Sequence, residues 1–325
     1  MNAFIRSIAL AGALALTAGT AHAQAWPNRQ VFIIVPFPAG GGVDVFTRPV
    51  AAQLDKQLNQ RFLLEIRAGA GGTVGAAAAA KAAPDGYTFL AGAAHHTIAP
   101  SIYPKLSYDI ENDFVPIAVM AQPPHVIVVN PKRVAARTVK DLIAEAKVSG
   151  DKMSYGSAGN GTTHHLAGEL FNQLTGTKIP HVPYRGAGPA MQDLVAGHIT
   201  MIFDGLGTSA AQMKEGTIHG LAVSAAKRVP QFPDLPTSAE AGLPGFEFST
   251  WYGLWALKGT PDDIIKKMRE EVAKALKDPS VREHYARNGS EVSTVAGDDM
   301  AKLVRSDIEK WGKVVKASGV KLDGG

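Results

Sequence analysis

The chain has 325 residues, of which 46% are hydrophobic and 19% are charged, and it carries 33 Lys and Arg against 29 Asp and Glu. The basic residues are scattered among acidic ones and the net charge is only +4, so nucleic acid is not expected as a partner. The absence of cysteine excludes disulfides and thiolate metal sites, so burial alone must stabilise the fold; a chain of this length usually forms two domains.

The first 23 residues have the pattern of a secretory signal peptide. Arg6 is followed by an apolar run from Ile8 to Leu16, and Ala21-His22-Ala23 has the small-x-small form that signal peptidase accepts. This run is about half of the roughly 20 residues that a membrane span requires, and no cysteine follows it for lipid attachment. We therefore predict cleavage after Ala23 and a soluble periplasmic product, and no later segment has the pattern of a membrane span.

From residue 30 onward, β-branched runs alternate with helical stretches. VFIIV, FLLEI and YTFLAG are separated by a helix over about 43–60 and by an alanine-rich helix. A second series begins at His125 with VIVVN and continues through MSYGSA, IPHVPY and ITMIFD, again with helices between them. Strict alternation of strand and helix predicts βαβ units and parallel sheets, so the fold class is α/β with two lobes.

The two series must be joined by chain crossings. Segment 109–124, with Pro116, Pro123 and Pro124, suits a crossing better than a regular element. The amphipathic helices after Thr260 have no strand series of their own and are expected to pack on the first lobe, which requires a second crossing near 221–223. Two crossings make a hinge. The predicted division is 1–23 for the leader, 24–124 with 223–325 for the first lobe, and 125–222 for the second lobe.

The segment from Val35 to Asp44 runs from an apolar strand through three glycines into a helix. The first amides of a helix have no internal partners and carry partial positive charge, so they can hold an anion without Arg or Lys. The alternative is that the glycines only permit a tight turn. Asp44 would repel an anion and is expected to cap loop amides or to join a water network.

The segment from Tyr155 to His164 repeats the order of strand, small residues and helix, and it adds hydroxyl and amide side chains. Two such helix starts facing each other across a cleft would suit a ligand with a carboxylate, including one with a carboxylate at either end. His95 and His164 are expected to donate hydrogen bonds at this cleft, with loop or cap contacts as the alternative. Asp204 could orient a water, a ligand amine or a hinge donor, or simply end its strand.

The same residues do not match the sequence motifs of known enzymes or metal sites. Tyr155 stands where a nucleophile elbow at Ser157 needs glycine, and neither glycine cluster matches the P-loop or the dinucleotide fingerprint. The histidine pairs at 95–96 and 164–165 lack a carboxylate at zincin spacing, so neither a metal nor a cofactor is predicted. A hydrolase acting through Ser157 or the histidines is kept as a remote alternative. Trp251, Tyr252 and Trp255 alternate in a strand-like segment and are predicted to lie in the core.

Four motifs in chain order resemble the Bug family, the substrate-binding subunits of tripartite tricarboxylate transporters. They are PFPAGGGxD, GAGGTxG with PDGYT, YGSAGNGTxH, and HVPYRGAGPAxxDLxxG, and the resemblance extends from about Trp26 to the terminal helices. It implies a type II periplasmic-binding-protein fold without catalysis, a monomer, and a membrane permease as partner. A membrane signalling receptor is the alternative partner. The implied ligand is a di- or tricarboxylate, an acidic amino acid or an aromatic carboxylate, bound through amides, hydroxyls and waters.

The resemblance also implies a set of ligand-binding residues. They are Phe37, Ala39, Gly40, Gly41, Val43, Asp44, Ala94, His95, Ser157, Gly159, Asn160, Gly161, Thr162, Thr163, His164 and Asp204. Two departures from the family pattern leave the ligand open. Asn160-Gly161-Thr162 stands where the family often has a Gly-Ser pair, and Ile66-Arg67-Ala68-Gly69 replaces a common Asn-Arg-Pro-Gly.

Overall fold

A computed structural model describes residues 26–318, so the predicted leader and its cleavage site lie outside the described residues. Within 26–318 the chain forms two five-stranded sheets, each covered by helices. No helix in this range is both long and apolar enough to cross a lipid bilayer. We call the elements around the two sheets the first lobe and the second lobe.

The first lobe is built on a mixed sheet with the strand order β2-β1-β3-β10-β4. Strand β1 pairs in parallel with β2 and β3, as the alternation of strands and helices predicts, and β10 returns late in the chain to pair antiparallel between β3 and β4. The strands are β1 (Val31–Val35), β2 (Phe62–Ile66), β3 (Thr88–Ala93), β4 (Phe114–Ala121) and β10 (Tyr252–Leu257).

The second lobe repeats this plan with the strand order β7-β6-β8-β5-β9. Strand β6 pairs in parallel with β7 and β8, whereas β5 is antiparallel to both β8 and β9. The strands are β5 (His125–Val129), β6 (Tyr155–Ser157), β7 (His181–Pro183), β8 (Met201–Gly205) and β9 (His219–Ser224).

Helices cover the sheets through apolar faces. Helix α1, for example, buries Phe46, Val50 and Leu54 at helical spacing, and it ends at Asn59, whose left-handed conformation is a common helix stop. In chain order the helices are α1 (Gly42–Leu58), α2 (Thr73–Ala80), α3 (His95–Ile102), α4 (Val139–Ser149), α5 (Thr163–Thr175), α6 (Ala187–Ala196), α7 (Leu206–Lys214), α8 (Asp262–Lys277), α9 (Pro279–Arg287) and α10 (Gly297–Ser318).

The chain passes between the sheets twice, first through 122–124 and again between β9 and β10. The second passage lies later than expected, because residues 221–223 are inside β9 of the second sheet. The segment after β9 still packs on the second lobe, since Leu243, Phe246 and Phe248 belong to its core. We therefore propose that the second lobe extends from 125 to about 248. The two α/β lobes with two connections form the type II periplasmic-binding-protein fold that the sequence predicts.

The terminal helices behave in two ways. Met268 of α8 and Tyr285 of α9 lie in the core of the first lobe, in agreement with the prediction. Helix α10 instead spans both lobes, because its early residue Met300 packs in a first-lobe cluster while Trp311 and Val315 join the core of the second lobe. The expectation that all terminal helices pack on the first lobe is therefore wrong for the last turns of α10.

Candidate functional site

Both predicted glycine-rich loops reach one cavity of about 30 Å³ between the lobes. The carboxyl ends of β1 and β3 supply its first-lobe side, and the start of β10 closes it. The loop after β6 and the starts of α5 and α6 supply the second-lobe side. The lining residues are Phe37, Gly41, Gly42, Val43, Ala93, His95, Thr250 and Tyr252 from the first side, and Ala158, Thr162, Thr163, His164 and Ala187 from the second. None of these lining residues is Lys, Arg, Asp or Glu.

Helix α1 points its N-terminus at this cavity. Its N-cap is Gly41, which has an extended backbone and no side chain to cap the helix. The first helical bond runs from the amide of Val45 to the oxygen of Gly41, so the amides of Gly42 to Asp44 have no helical acceptor. The Asp44 carboxylate accepts from the Gly40 amide at 3.0 Å and from Arg48, which agrees with the expected capping role.

Helix α5 presents a second uncapped N-terminus from the opposite lobe. Its N-cap is Thr162, but the Thr162 hydroxyl donates to the oxygen of Gly159 at 2.7 Å and does not cap the helix. The first helical bond joins the Leu166 amide to the Thr162 oxygen. The amides of Thr163 and His164 are thus left without helical acceptors beside the cavity.

Helix α6 adds a third N-terminus that the sequence analysis did not assign to the site. Its N-cap Gly186 provides no side-chain cap, and Ala187, its first residue, lines the cavity. Gly186 followed by Pro189 in the first turn is a recognisable helix-start signal. Each N-terminus carries about half a positive charge, so three of them around one cavity favour an anion.

The cavity contains some of the predicted ligand-binding residues and excludes others. Those that line it are Phe37, Gly41, Val43, His95, Thr162, Thr163 and His164. Those that do not are Ala39, Gly40, Asp44, Ala94, Ser157, Gly159, Asn160, Gly161 and Asp204. Several of the second group shape the loops: the Ala94 amide donates to Trp251, and the Asn160 oxygen accepts from the Tyr103 hydroxyl at 3.2 Å.

Ser157 is a loop-shaping residue of this kind. Its hydroxyl lies 2.6 Å from Nε2 of His181 and accepts from the Gly159 amide at 3.1 Å, and the side chain is fully buried. The His181 ring stacks on His165 with ring centroids 4.0 Å apart, and Nδ1 of His165 accepts from the Gly161 amide. Burial lowers the pKa of His181 to about 3 and also lowers the pKa of His165, although Glu169 opposes the second shift, so this stack is uncharged at neutral pH. The serine and histidine together hold the second glycine-rich loop in shape.

Tyr252 is the main cavity residue that the sequence analysis placed elsewhere. Its ring does pack in the core, stacked on Phe46 at 5.1 Å, but the residue also lines the cavity. A Cβ atom at Gly42 would lie 1.9 Å from the Tyr252 hydroxyl oxygen, so the close approach requires glycine there. Trp251 and Trp255 are buried in the first-lobe core as predicted. Ala93, Ala158, Ala187 and Thr250 also line the cavity without having been singled out.

The two cavity histidines are neutral hydrogen-bonding groups. Burial lowers the pKa of His95 well below its usual value, with a smaller contribution from His96. Burial also lowers the pKa of His164, although the nearby Asp204 carboxylate opposes this shift. Neither His95 Nε2 nor His164 Nδ1 has a hydrogen-bond partner among the described residues. The cavity therefore combines partial positive charge from main-chain amides with neutral side-chain donors and acceptors.

Two α/β lobes joined by two connections, with an amide-lined cavity between them, define a solute-binding protein of the periplasmic-binding-protein class. The description "Tripartite tricarboxylate transporter family receptor" (TctC) applies to a family whose profile matches residues 46–320, and the chain belongs to this family. This confirms the resemblance to the Bug family that the motifs indicated.

Individual relatives agree with this assignment. Protein BugT of Bordetella pertussis is 34% identical over 322 residues, covering 98% of each chain. The structure of periplasmic binding protein BugD is 34% identical, with a TM-score of 0.88 and coverage of 91% of this chain and 100% of that one. Rpa4515 of R. palustris with adipate is 37% identical (TM-score 0.88, 91% and 100% coverage). MatC of Rhodopseudomonas palustris with bound malate is 34% identical (TM-score 0.85, 89% and 100% coverage).

Proposed function

We propose that this protein captures a small carboxylate in the periplasm and delivers it to the membrane permease subunits of a tripartite tricarboxylate transporter. The observation that carries this proposal is the meeting of the N-termini of α1, α5 and α6 at one cavity between the lobes. Residues from both lobes must close on the ligand to complete that arrangement, which is the behaviour required of a receptor that loads by closing and unloads by opening.

The charge of the site favours a carboxylate. Main-chain amides supply the positive potential, and each hydrogen bond to a charged group contributes about 1.5–3 kcal/mol. A neutral solute would leave uncapped amides poorly satisfied, and a cation would be repelled by the three helix ends. The adipate and malate in the two related structures support a carboxylate as the ligand class.

The proposal includes a location, an oligomeric state and a membrane partner for the protein. The predicted leader, cleaved after Ala23, would deliver a soluble monomer to the periplasm, where a receptor of this family works beside its permease. Cross-linking in intact cells tests the partner. Recovery of the permease subunits supports the proposal, whereas recovery of a membrane signalling receptor in their place would contradict it.

We further propose that the protein has no catalytic activity. Ser157 and His181 are close enough to form a nucleophile–base pair, but the serine is fully buried, does not line the cavity and accepts from the Gly159 amide. A hydrolase requires a nucleophile that reaches its substrate. Turnover of an ester or amide substrate that is lost in Ser157→Ala would overturn this part of the proposal.

The ligand is best identified from the protein itself. Native mass spectrometry of protein purified from the periplasm should show a bound carboxylic acid. The midpoint temperature of thermal unfolding should rise when that acid is added back to ligand-stripped protein. A broad panel of mono-, di- and tricarboxylates and neutral analogues completes the measurement. Stabilisation by neutral solutes but by no carboxylate would refute the proposed ligand class.

A further inference from the structure

A buried polar cluster lies directly behind the second-lobe wall of the cavity. It consists of His164 on α5, Asp204 at the end of β8 and His125 at the start of β5, with 5%, 1% and 0% of their surface exposed. Nε2 of His164 lies 3.6 Å from Oδ1 of Asp204. The rings of His125 and His164 meet edge to face with centroids 5.2 Å apart. Of the three residues, only His164 lines the cavity directly.

One oxygen of the Asp204 carboxyl group has hydrogen-bond partners, and the other has none among the described residues. Oδ2 accepts from the hydroxyls of Thr208 and Ser209 on α7. Oδ1 has no hydrogen-bond partner among the described residues, because 3.6 Å to His164 is longer than a hydrogen bond. Leaving a buried polar oxygen unpaired is costly, so a change on ligand binding that brings a hydrogen-bond donor to Oδ1 would be favoured.

The histidines are similarly unsatisfied. Nδ1 of His164 and both ring nitrogens of His125 have no partner among the described residues. Burial lowers the pKa of both rings, so at neutral pH each carries one N–H donor and one acceptor nitrogen. Four buried polar atoms in one cluster therefore lack partners, which is a high concentration for a native protein.

The sign of the cluster restricts what can satisfy it. Asp204 is the one acid of the cluster; burial raises its pKa, while His164 and the hydroxyls of Ser209 and Thr208 act in the opposite direction. Both hydroxyls donate to its Oδ2, and the buried Tyr252 phenol, whose pKa is raised by burial, is neutral. A ligand carboxylate placed here would face another carboxylate in a low-dielectric setting. A hydroxyl or an ammonium group on the ligand would instead donate to His164, which is the member of the cluster that lines the cavity.

We propose that His164 and Asp204, with His125 behind them, form a subsite for a hydrogen-bond donor on the ligand, so that the preferred cargo is a carboxylate bearing a hydroxyl or ammonium substituent. The inference rests on the proposed function, since the helix N-termini must bind the carboxylate while this cluster accepts a hydrogen bond from the substituent. His164 touches the ligand, and His125 is a positioning residue that holds the His164 ring from behind.

The test uses three acid skeletons, each with hydrogen, hydroxyl or ammonium at the carbon next to one carboxylate. Succinate, L-malate and L-aspartate form one series, propionate, L-lactate and L-alanine a second, and 3-phenylpropionate, L-phenyllactate and L-phenylalanine a third. Titration calorimetry on ligand-stripped protein gives the affinity ratio within each series. In the series that fits the cavity, the substituted acid should bind about tenfold or more tighter than its unsubstituted parent. Comparing the hydroxyl and ammonium arms identifies the donor.

Variants separate recognition from structure. His164→Phe should bring the affinity ratio to within about threefold of one while the parent acid still binds, and His164→Gln, which keeps a donor and an acceptor, should restore part of the preference. His125→Phe keeps the ring contact and should lower the ratio less than His164→Phe. His198→Gln, at an exposed histidine on the same lobe, is the matched control and should leave the ratio unchanged.

The outcomes are distinct. A parent acid that binds as tightly as its substituted relatives, or a ratio that survives His164→Phe, would overturn this inference and leave the proposed function intact. Binding of no carboxylate, either in these series or in the broad panel above, would overturn the proposed function and this inference with it.

Discussion

The hydroxyl of Tyr103, at the end of α3 in the first lobe, donates to the backbone oxygen of Asn160 in the second lobe at 3.2 Å. The same hydroxyl lies 3.0 Å from the oxygen of Ala70, so it shares its proton between the two sides of the cleft. We expect this contact to break when the lobes separate. It would then contribute to the closed state more than to the folding of either lobe.

Replacing Tyr103 by Phe should weaken ligand binding while leaving thermal stability nearly unchanged. One neutral hydrogen bond contributes about 0.5–1.5 kcal/mol, so the dissociation constant should rise about two- to tenfold, mainly through faster ligand release. Stopped-flow fluorescence measures both rates. Tyr87→Phe is the matched control, because the Tyr87 hydroxyl donates to Asn28 within the first lobe. An equal loss of affinity in both variants would argue against a closure contact.

Bulk at the start of α1 should block the carboxylate. A Cβ atom at Gly41 would meet only the oxygen of Pro38, at 3.3 Å, and the extended backbone there suits valine. Gly41→Val should therefore fold normally but bind at least about tenfold more weakly, with Gly41→Ala intermediate. Calorimetry and thermal unfolding should be measured side by side. Full affinity in Gly41→Val would mean that the carboxylate binds elsewhere.

Two tyrosines whose rings both contact Phe46 should separate binding from stability. Tyr252 lines the cavity, whereas the Tyr285 hydroxyl is buried and donates to the Phe46 oxygen at 2.6 Å. Tyr252→Phe should lose about tenfold in affinity with little change in unfolding, because its ring still stacks on Phe46. Tyr285→Phe should lower the free energy of unfolding by about 0.5–1.5 kcal/mol through the loss of one buried hydrogen bond, with affinity retained. The reverse pattern would show that the ligand does not contact the Tyr252 hydroxyl.

Acid should destabilise the protein through histidines that are buried in the neutral state. Burial lowers the pKa of both His96 and His181 from 6.5 to about 3. Between those values the unfolded chain binds protons that the native state excludes, so stability is full above about pH 6.5 and falls as the pH drops toward 3. The slope should approach about 1.4 kcal/mol per pH unit for each histidine. Urea unfolding at a series of pH values measures it.

His181→Phe should reduce that slope by the share of one histidine, although it also removes the contact with Ser157 and lowers stability at neutral pH. His198→Gln alters an exposed side chain and serves as the control. A free energy of unfolding that does not change between pH 7 and pH 4 would show that these rings accept protons in the native state.

The sequence predicted those parts of the molecule that depend on local pattern. Alternating strands and helices indicated both sheets, and the glycines at 40–42 and at 159 and 161 indicated the two loops that reach the cavity. Contributions to the site from residues far away in the sequence were harder to predict. Tyr252 reaches the site because β10 inserts between β3 and β4, and its neighbours Trp251 and Trp255 do lie in the core. Hydrophobic periodicity in the sequence does not distinguish an aromatic residue that lies only in the core from one whose hydroxyl also reaches a cavity.

The second crossing was misplaced for a related reason. The segment after β9 has few regular elements, so its attachment to the second lobe depends on scattered apolar residues such as Leu243, Phe246 and Phe248. Helix α10 was assigned to one lobe because its pattern is a uniform amphipathic stripe. The structure shows that one half of that stripe packs on each lobe, which sequence periodicity alone does not specify.

The use of main-chain amides at the ends of α1, α5 and α6 has a consequence for how this receptor can change over evolutionary time. Apart from positions 41 and 42, where a side chain would obstruct the site, an anchor made of backbone does not depend on residue type, because any residue except proline brings the same N–H group. Side chains elsewhere in the cavity wall, such as His95 and His164, can then vary while the main-chain amides still bind the carboxylate. A duplicated copy of the protein could in this way acquire a new cargo through a few exchanges, with its opening and closing movement kept intact.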